Sequence, residues 1–446
     1  MRKNTSFMLF MIGLGSMTQF HFIGSLGISE LPIYVIAPFV FLLNYRCLKQ
    51  DGFLPFIYLT LATCLGCIIS SLINSTPVPF AIKGFAHPYS LFALIVVLHR
   101  LLRNNLNGLK WILIGICLSN IVNIFIFQPE VTIASGGVVA EGRAALEQSL
   151  NDVLLIGSRA KAILCLPVSI NYLSMPTSVS TVAVILAGIV FALFSQSSGR
   201  SAAAALLMSA ALIMIGRKSR ISIRAIGRHI VLSCLCLAVA AFSLKAIYSK
   251  AAQGGLLGEG ALQKYRQQTR AGDGFLQILM AGRMEFFCGV SACLDQPIFG
   301  FGPKAEDKNG YVESFMKKYG AADDYLKYLE SLRNARRAGR FVYRNIPTHS
   351  YIAMFWVYYG IAGLFLWLYV LWLFFMYLKK YAYVVPQWYG YMAVTIPFAT
   401  WNIFFSPFAG RPEKALYITC LLFVKAIYDK KMSLPIEIEM EAARYG

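Results

Sequence analysis

Most of the sequence consists of apolar runs about as long as a membrane span, and one hydrophilic stretch at about 249–348 interrupts them. The chain has 446 residues, of which 57% are hydrophobic and 14% charged, whereas soluble domains are closer to a quarter charged. Because lipid cannot satisfy backbone N–H and C=O groups, apolar spans must be helical. The sequence therefore predicts an all-α polytopic membrane protein with about twelve transmembrane helices. The expected spans lie at about 7–24, 31–45, 53–73, 79–99, 110–128, 153–173, 177–195, 200–216, 230–248, 350–378, 386–405 and 413–428.

The charges of the short loops predict the orientation of these spans. Lys and Arg concentrate in alternate loops, most densely at 217–228, while the loops between them are nearly free of both. The positive-inside rule then places both termini in the cytoplasm and the long loop outside. The predicted organisation is helices one to nine at 1–248, a large outer loop at 249–348, and helices ten to twelve with a cytoplasmic tail at 349–446.

The net charge of +20 is explained by these basic loops, which meet anionic lipid headgroups. The lipid bilayer is therefore an expected partner and nucleic acid is not. Cys64 and Cys67 form a CxxC, but no second Cys or His pair follows at zinc spacing. Cys288 and Cys293 lie in the long loop, and the sequence leaves open whether they pair. No cofactor is expected.

The long loop has internal order. Residues 276–294 are apolar with helical spacing and predict a helix at the membrane interface or packed on the bundle. Residues 295–303 (DQPIFGFGP) predict a Pro- and Gly-rich turn. Residues 311–340 are charged and predict one or two amphipathic helices, whose role the sequence leaves open.

The predicted topology places four polar residues on the outer side: Arg200, Arg283, His349 and Lys83. Each also has a structural interpretation. Arg200 and Lys83 can snorkel, Arg283 can anchor an interfacial helix, and His349 can start a helix with Thr348 or Ser350 as its cap. Together they favour chemistry. Arginines bind phosphate oxygens in forked geometry, and a neutral histidine accepts protons near pH 7. The set suits a reaction in which a hydroxyl attacks while a diphosphate leaves.

A metal-dependent version of this reaction requires clustered carboxylates. The first outer loop offers only Glu30, and the acids of the long loop (Glu306, Asp307, Asp323, Asp324) alternate with lysines, as on a solvated surface. The sequence therefore predicts no metal site.

Four short motifs occur in a recognisable order. They are SQSSGRS, AGRMEFF, DQPIFGFGP and PTHSYIAMFWVYYGIAGLF, within about 195–370. Their order and spacing resemble the O-antigen ligase and O-antigen polymerase superfamily of bacterial membrane proteins. That family has about twelve spans and a large periplasmic loop just before a span that opens with a histidine.

The resemblance implies an inverting, metal-independent glycosyltransferase of the GT-C-like type in the bacterial inner membrane. Its donor would be a glycan on undecaprenyl diphosphate and its acceptor lipid A–core. His349 takes the place of the family's general base, Arg200 and Arg283 those of the arginines that hold diphosphate, and Lys83 that of a basic residue near the outer end of an early span. The family histidine is often followed by Asn, whereas Ser350 stands here.

Three functions stay open at this point. PKAEDKNGYVESF resembles enteric ligases, and one large outer loop favours a ligase over a polymerase that uses the same donor. A polysaccharide flippase or other transporter would account for the intramembrane charges Arg159 and Lys161. Transporters usually show two related halves, and no such repeat is evident in the sequence.

Overall fold

The computed structural model describes most of the N-terminal quarter of the chain and the elements around the end of the long loop. The described ranges are 2–15, 19–21, 25–27, 29–103, 108–122, 284–319, 345–348, 350–380 and 386–405, with short pieces between 250 and 269 and between 329 and 337. The predicted spans at 153–173, 177–195, 200–216, 230–248 and 413–428 lie outside these residues, so the count of about twelve stays a prediction.

The described part is mostly helical. Its helices are α1 (Arg2–Gly15), α2 (Glu30–Gln50), α3 (Leu54–Ile73), α4 (Val78–Leu102), α5 (Gly108–Val122), α6 (Met284–Asp295), α7 (Tyr311–Tyr319), α8 (Tyr351–Tyr359), α9 (Ile361–Lys380) and α10 (Pro386–Phe405). Within the described residues, α2, α3 and α4 are long and apolar enough to cross a membrane. These three match the spans predicted at 31–45, 53–73 and 79–99.

The first predicted span, 7–24, is wrong in its extent. Helix α1 ends at Gly15, where the Ser29 hydroxyl donates to the Ile12 carbonyl at 3.1 Å and takes up an acceptor of the last turn. An antiparallel hairpin follows, β1 (Gln19–His21) with β2 (Ser25–Gly27). This hairpin departs from the predicted all-α fold. At about 1.5 Å per residue, α1 also falls short of the roughly 30 Å hydrocarbon core.

The predicted span at 350–378 is divided into two helices. Gly360 separates α8 from α9 and has φ +67°, a backbone conformation that side chains disfavour. A Cβ at this position would also overlap the carbonyl of Ile298. The break therefore needs glycine for two reasons. It also lets Ile298 of the long loop contact the backbone between α8 and α9.

Close backbone approach packs the described helices. Helix α1 lies against α5 where Gly13 meets the Ile112 carbonyl and Gly115 meets that of Phe10. Helix α3 approaches the α8–α9 junction at Gly66, where an added Cβ would lie 2.7 Å from the Tyr359 carbonyl oxygen. Small residues at such crossings are typical of membrane bundles, because they allow helices to pack without a hydrophobic driving force.

A polar network joins α2, the α2–α3 turn and α4 at one end of the bundle. Asn44 Nδ2 donates to His99 Nδ1 at 2.8 Å, and His99 Nε2 donates to Asp51 Oδ2 at 2.8 Å. Arg103 Nε donates to the same oxygen at 3.1 Å. The α3–α4 turn at 74–77 lies at the opposite end of α3 and α4. The sequence predicts the end with the polar network to be cytoplasmic and the end with the α3–α4 turn to be outer.

Candidate functional site

The predicted Pro- and Gly-rich turn is confirmed and forms the centre of the site. We call residues 296–305 the glycine turn. Gly300 and Gly302 have φ of +69° and +82°, a backbone region that favours glycine. The turn packs between the outer ends of α3 and α4 on one side and α8 on the other. It therefore brings together segments that are far apart in sequence.

Three hydrogen bonds, two between backbone groups and one from a side chain, attach the glycine turn to α8 and its C-terminal break. The contact leaves no room for a side chain, because a Cβ on Gly300 would lie 2.5 Å from the Val357 carbonyl oxygen. The bonds are Phe301 N to Val357 O at 2.6 Å, Ile361 N to Ile298 O at 3.0 Å, and Trp356 Nε1 to Pro297 O at 3.0 Å.

A second set of contacts attaches the turn to the end of α3. The Asn74 side-chain amide donates to the Gly300 carbonyl at 3.1 Å. At Gly302, an added Cβ would lie 2.5 Å from the Thr76 hydroxyl oxygen. The turn is thus in close contact with α8 at Gly300 and with the end of α3 at Gly302, and neither contact leaves room for a Cβ.

Helix α4 meets the turn beside Lys83, one of the predicted site residues. The Pro303 ring lies so close to Gly84 that a Cβ there would overlap it. Lys83 and Lys304 are the chain neighbours of this contact, and both are exposed. The Lys304 ammonium also acts electrostatically on the imidazole of His87. Two exposed lysines therefore lie next to the residues of one contact between α4 and the glycine turn.

Lys304 adopts a backbone conformation that is uncommon outside glycine, with φ +57°. Such residues cost about 1–3 kcal/mol and concentrate at functional sites. Lys304 is not among the predicted site residues, because the alternating acids and lysines of the loop indicated a solvated surface. Its position directly after the predicted turn was the available signal. His87 was missed too, although it lies one helical turn after Lys83 on α4.

A hydroxyl from α8 stabilises the irregular part of α4. The Gly84 carbonyl would normally accept from the N–H of residue 88, but Pro88 has none. The Tyr359 hydroxyl donates to that carbonyl at 2.7 Å instead, and its side chain is buried. The carbonyl that Pro88 leaves without a helical donor is thereby satisfied by a side chain of α8.

His349 lies outside the described residues, but both of its chain neighbours are described. The Thr348 side chain interacts with that of Tyr358. Ser350 is the N-cap of α8: its Oγ accepts from Ala353 N at 3.2 Å and donates to the Ile403 carbonyl at 2.8 Å. The predicted cap is confirmed. Ser350, which stands where the family often has Asn, joins α8 to α10.

Arg200 and Arg283 also lie outside the described residues, and their roles stay predictions. Helix α6 begins at Met284, the residue after Arg283, and packs on the start of α8. At the contact, a Cβ on Gly289 would lie 3.1 Å from the Pro347 carbonyl oxygen. The segment that follows the predicted arginine therefore contacts the segment that precedes the predicted histidine.

The two loop cysteines do not pair. Cys288 and Cys293 are free, buried thiols on α6, with Sγ contacts to the carbonyls of Tyr311 (3.8 Å) and Ala353 (3.9 Å). Burial, helped by the nearby Asp307 and Glu285, raises the pKa of Cys288 to about 12. Burial also raises the pKa of Cys293. Both thiols pack α6 against its neighbours and are poor nucleophiles at neutral pH.

In the described parts of the chain, no three His, Cys, Asp or Glu side chains lie close enough together to hold a metal ion. The expectation of a metal-free reaction is still a prediction. In comparisons with known proteins, no protein-family model matches the chain and no curated protein is significantly similar to it.

Proposed function

We propose that the chain is an O-antigen ligase that transfers a glycan from undecaprenyl diphosphate to lipid A–core at the periplasmic face of the bacterial inner membrane. One observation carries the proposal: the glycine turn contacts α4 beside Lys83, and its Ala305 carbonyl accepts from Ile346 N at 2.9 Å, three residues before His349. Two of the motifs that resemble the family, DQPIFGFGP and PTHSYIAMFWVYYGIAGLF, thus lie against each other in the fold. A transferase site that uses these residues together requires such a meeting.

The proposed reaction is a direct displacement. A hydroxyl of the acceptor sugar attacks the anomeric carbon from the face opposite the diphosphate, so a C–O bond forms as the bond to diphosphate breaks. His349 accepts the hydroxyl proton, and the diphosphate leaves with the bonding electron pair. Arg200, Arg283 and Lys83 stabilise the charge that develops on it. This displacement inverts the anomeric configuration and needs no metal.

Lys304 adds a cation that the sequence analysis did not include. It lies across the Gly84–Pro303 contact from Lys83, and both ammonium groups are on exposed side chains. Lysines act on phosphates as point charges. Two of them beside one contact supply the positive surface that a lipid-linked diphosphate needs.

Reconstitution tests the proposal. Purified protein in liposomes receives undecaprenyl-diphosphate glycan with lipid A–core, and each lipid is also supplied alone. Transfer onto lipid A–core that persists in excess chelator is the expected result. Chain growth from the diphosphate lipid alone would make the protein a polymerase. Translocation of intact donor without any transfer would make it a transporter.

Variants then test the residue roles. His349→Ala is expected to abolish transfer in protein that still inserts and accumulates, because the base is lost. Arg283→Lys is expected to lower transfer, since an ammonium cannot replace the guanidinium fork. Lys317→Ala on the exposed face of α7 is the control and should transfer normally. Normal transfer by His349→Ala would refute its assignment as the base.

A further inference from the structure

A cavity of about 180 Å³ lies beside the glycine turn, and neither Lys83 nor Lys304 lines it. It is formed by the end of α3, the glycine turn and the start of α7, and the function proposed above does not use it. Its lining combines amides, a carboxylate, an ammonium and two aromatic rings: Asn74, Gln296, Phe301, Glu306, Lys308, Asn309 and Tyr311.

The aromatic wall of the cavity is fixed in place. The Tyr311 hydroxyl donates to the Asp295 carboxylate and accepts from Asn309 Nδ2 at 2.8 Å. Its ring stands edge-on to Phe301, with centroids 6.2 Å apart. Burial, together with the hydrogen bond to Asp295, raises the pKa of Tyr311 to about 12. The phenol therefore stays protonated at neutral pH and can donate to the Asp295 carboxylate there.

The start of α7 is fixed by a buried carboxylate. Asp307 is 6% exposed, and its two oxygens accept from the backbone N–H groups of Tyr311 at 2.8 Å and Val312 at 2.9 Å. This side chain caps the helix and is not available to a ligand. The segment between the glycine turn and α7 is thus held by its own hydrogen bonds.

The remaining polar groups offer both donors and acceptors. The Asn74 amide nitrogen donates to the carbonyls of Ser70 and Gly300, at 2.9 and 3.1 Å, which leaves its side-chain oxygen as an acceptor. The side-chain amide of Gln296 contributes both an N–H donor and a carbonyl acceptor. The charges of Glu306 and Lys308 offset each other, so the cavity favours a neutral ligand over a phosphate.

We propose that this cavity binds one neutral pyranose ring of a glycan substrate. Sugar hydroxyls both donate and accept, as this lining requires, and the C–H face of the ring can rest on the Tyr311–Phe301 wall. The volume suits a single ring, and pockets of this kind use a few placed polar groups to orient a ligand on an apolar surface. The inference rests on the proposed function for the role of the sugar, which belongs either to the donor glycan or to the acceptor core.

Binding to the full-length protein in detergent tests the inference directly. Saturation-transfer difference NMR uses methyl glucoside and methyl galactoside as probes, with acyclic sorbitol as the negative control. Gln296→Ala and Glu306→Gln alter exposed side chains that line the cavity, and Lys317→Ala alters one that does not. We expect signal from the ring C–H protons and about tenfold weaker binding in both cavity variants, the effect of one lost hydrogen bond. Equal binding in all proteins, or no signal above sorbitol, would overturn the inference.

Soluble oligosaccharides from the donor glycan and from the lipid A-free core then identify the source of the sugar. The one that binds better to wild type than to Gln296→Ala contains the bound ring. The same variant should raise KM for that substrate in the transfer assay and leave KM for the other unchanged. Specific binding without any transfer by wild type would retain the subsite and reject the ligase. Transfer with both KM values unchanged in Gln296→Ala would reject the subsite alone.

Discussion

Tyr359→Phe should destabilise the protein because of a proline on another helix. The Tyr359 hydroxyl donates at 2.7 Å to the Gly84 carbonyl, which Pro88 deprives of its helical partner. Its removal leaves a buried acceptor unsatisfied. Such groups cost about 1–3 kcal/mol in soluble proteins, and interhelical hydrogen bonds in membranes are worth up to about 1.7 kcal/mol. We therefore expect a loss of about 1–2 kcal/mol.

The assay is thermal unfolding of purified protein in detergent, followed by tryptophan fluorescence at a fixed scan rate. A loss of this size corresponds to a midpoint lower by on the order of 2–4 °C. Tyr369→Phe is the matched control. This half-buried tyrosine on α9 stacks on Trp372, with ring centroids 5.6 Å apart, and has no hydrogen bond at its hydroxyl among the described residues. Its midpoint should not move.

A double-mutant cycle isolates the cause. Pro88→Ala restores an N–H that can donate to the Gly84 carbonyl, so Tyr359→Phe should cost less than about 0.5 kcal/mol in that background. The coupling between the two positions should then be about 1 kcal/mol. An equal cost of Tyr359→Phe in both backgrounds would refute the reasoning, because the hydroxyl would not be replacing the missing N–H.

Three further predictions concern other parts of the molecule. Lys304→Gly should relieve the left-handed backbone conformation of residue 304, so the thermal midpoint should not fall, while the rate of transfer should decrease. An unchanged rate of transfer would reject the role of Lys304 with diphosphate. Asp51→Asn should lower the midpoint, at a cost of about 1–3 kcal/mol, because His99 loses a charged partner; an unchanged midpoint would contradict this. Cys288 and Cys293 should resist a maleimide at pH 7 until the protein is denatured, and labelling of the native protein would show that they are accessible.

Local sequence patterns predicted the elements whose cause is local. The spans at α2, α3 and α4 follow from apolar length and the glycine turn from DQPIFGFGP, while the sequence left the α8 cap open between Thr348 and Ser350. The end of α1 at Gly15 and the break at Gly360 were not predicted. These positions depend on Ser29 and Ile298, which contact them only in the folded chain.

The candidate site shows the same division. Lys83 was predicted as a site residue from its place near a span end, but Lys304, across the Gly84–Pro303 contact, was not. Asn74 and Gly300 are 226 residues apart, and no periodicity in a single sequence reports such a pairing. The roles of Arg200, Arg283 and His349 are still predictions that activity measurements must test.

The way the glycine turn is held determines when it can form during synthesis. Helices α3 and α4 leave the ribosome early, the turn itself much later, and α8, with its hydrogen bonds to Phe301 and Ile298, only after that. Until the final third of the chain is inserted, Asn74 therefore has only its local bond to the Ser70 carbonyl, and the Gly84 carbonyl lacks the hydroxyl of Tyr359. A premature stop before residue 351 would remove both hydrogen bonds that join the backbone of the glycine turn to Val357 and Ile361.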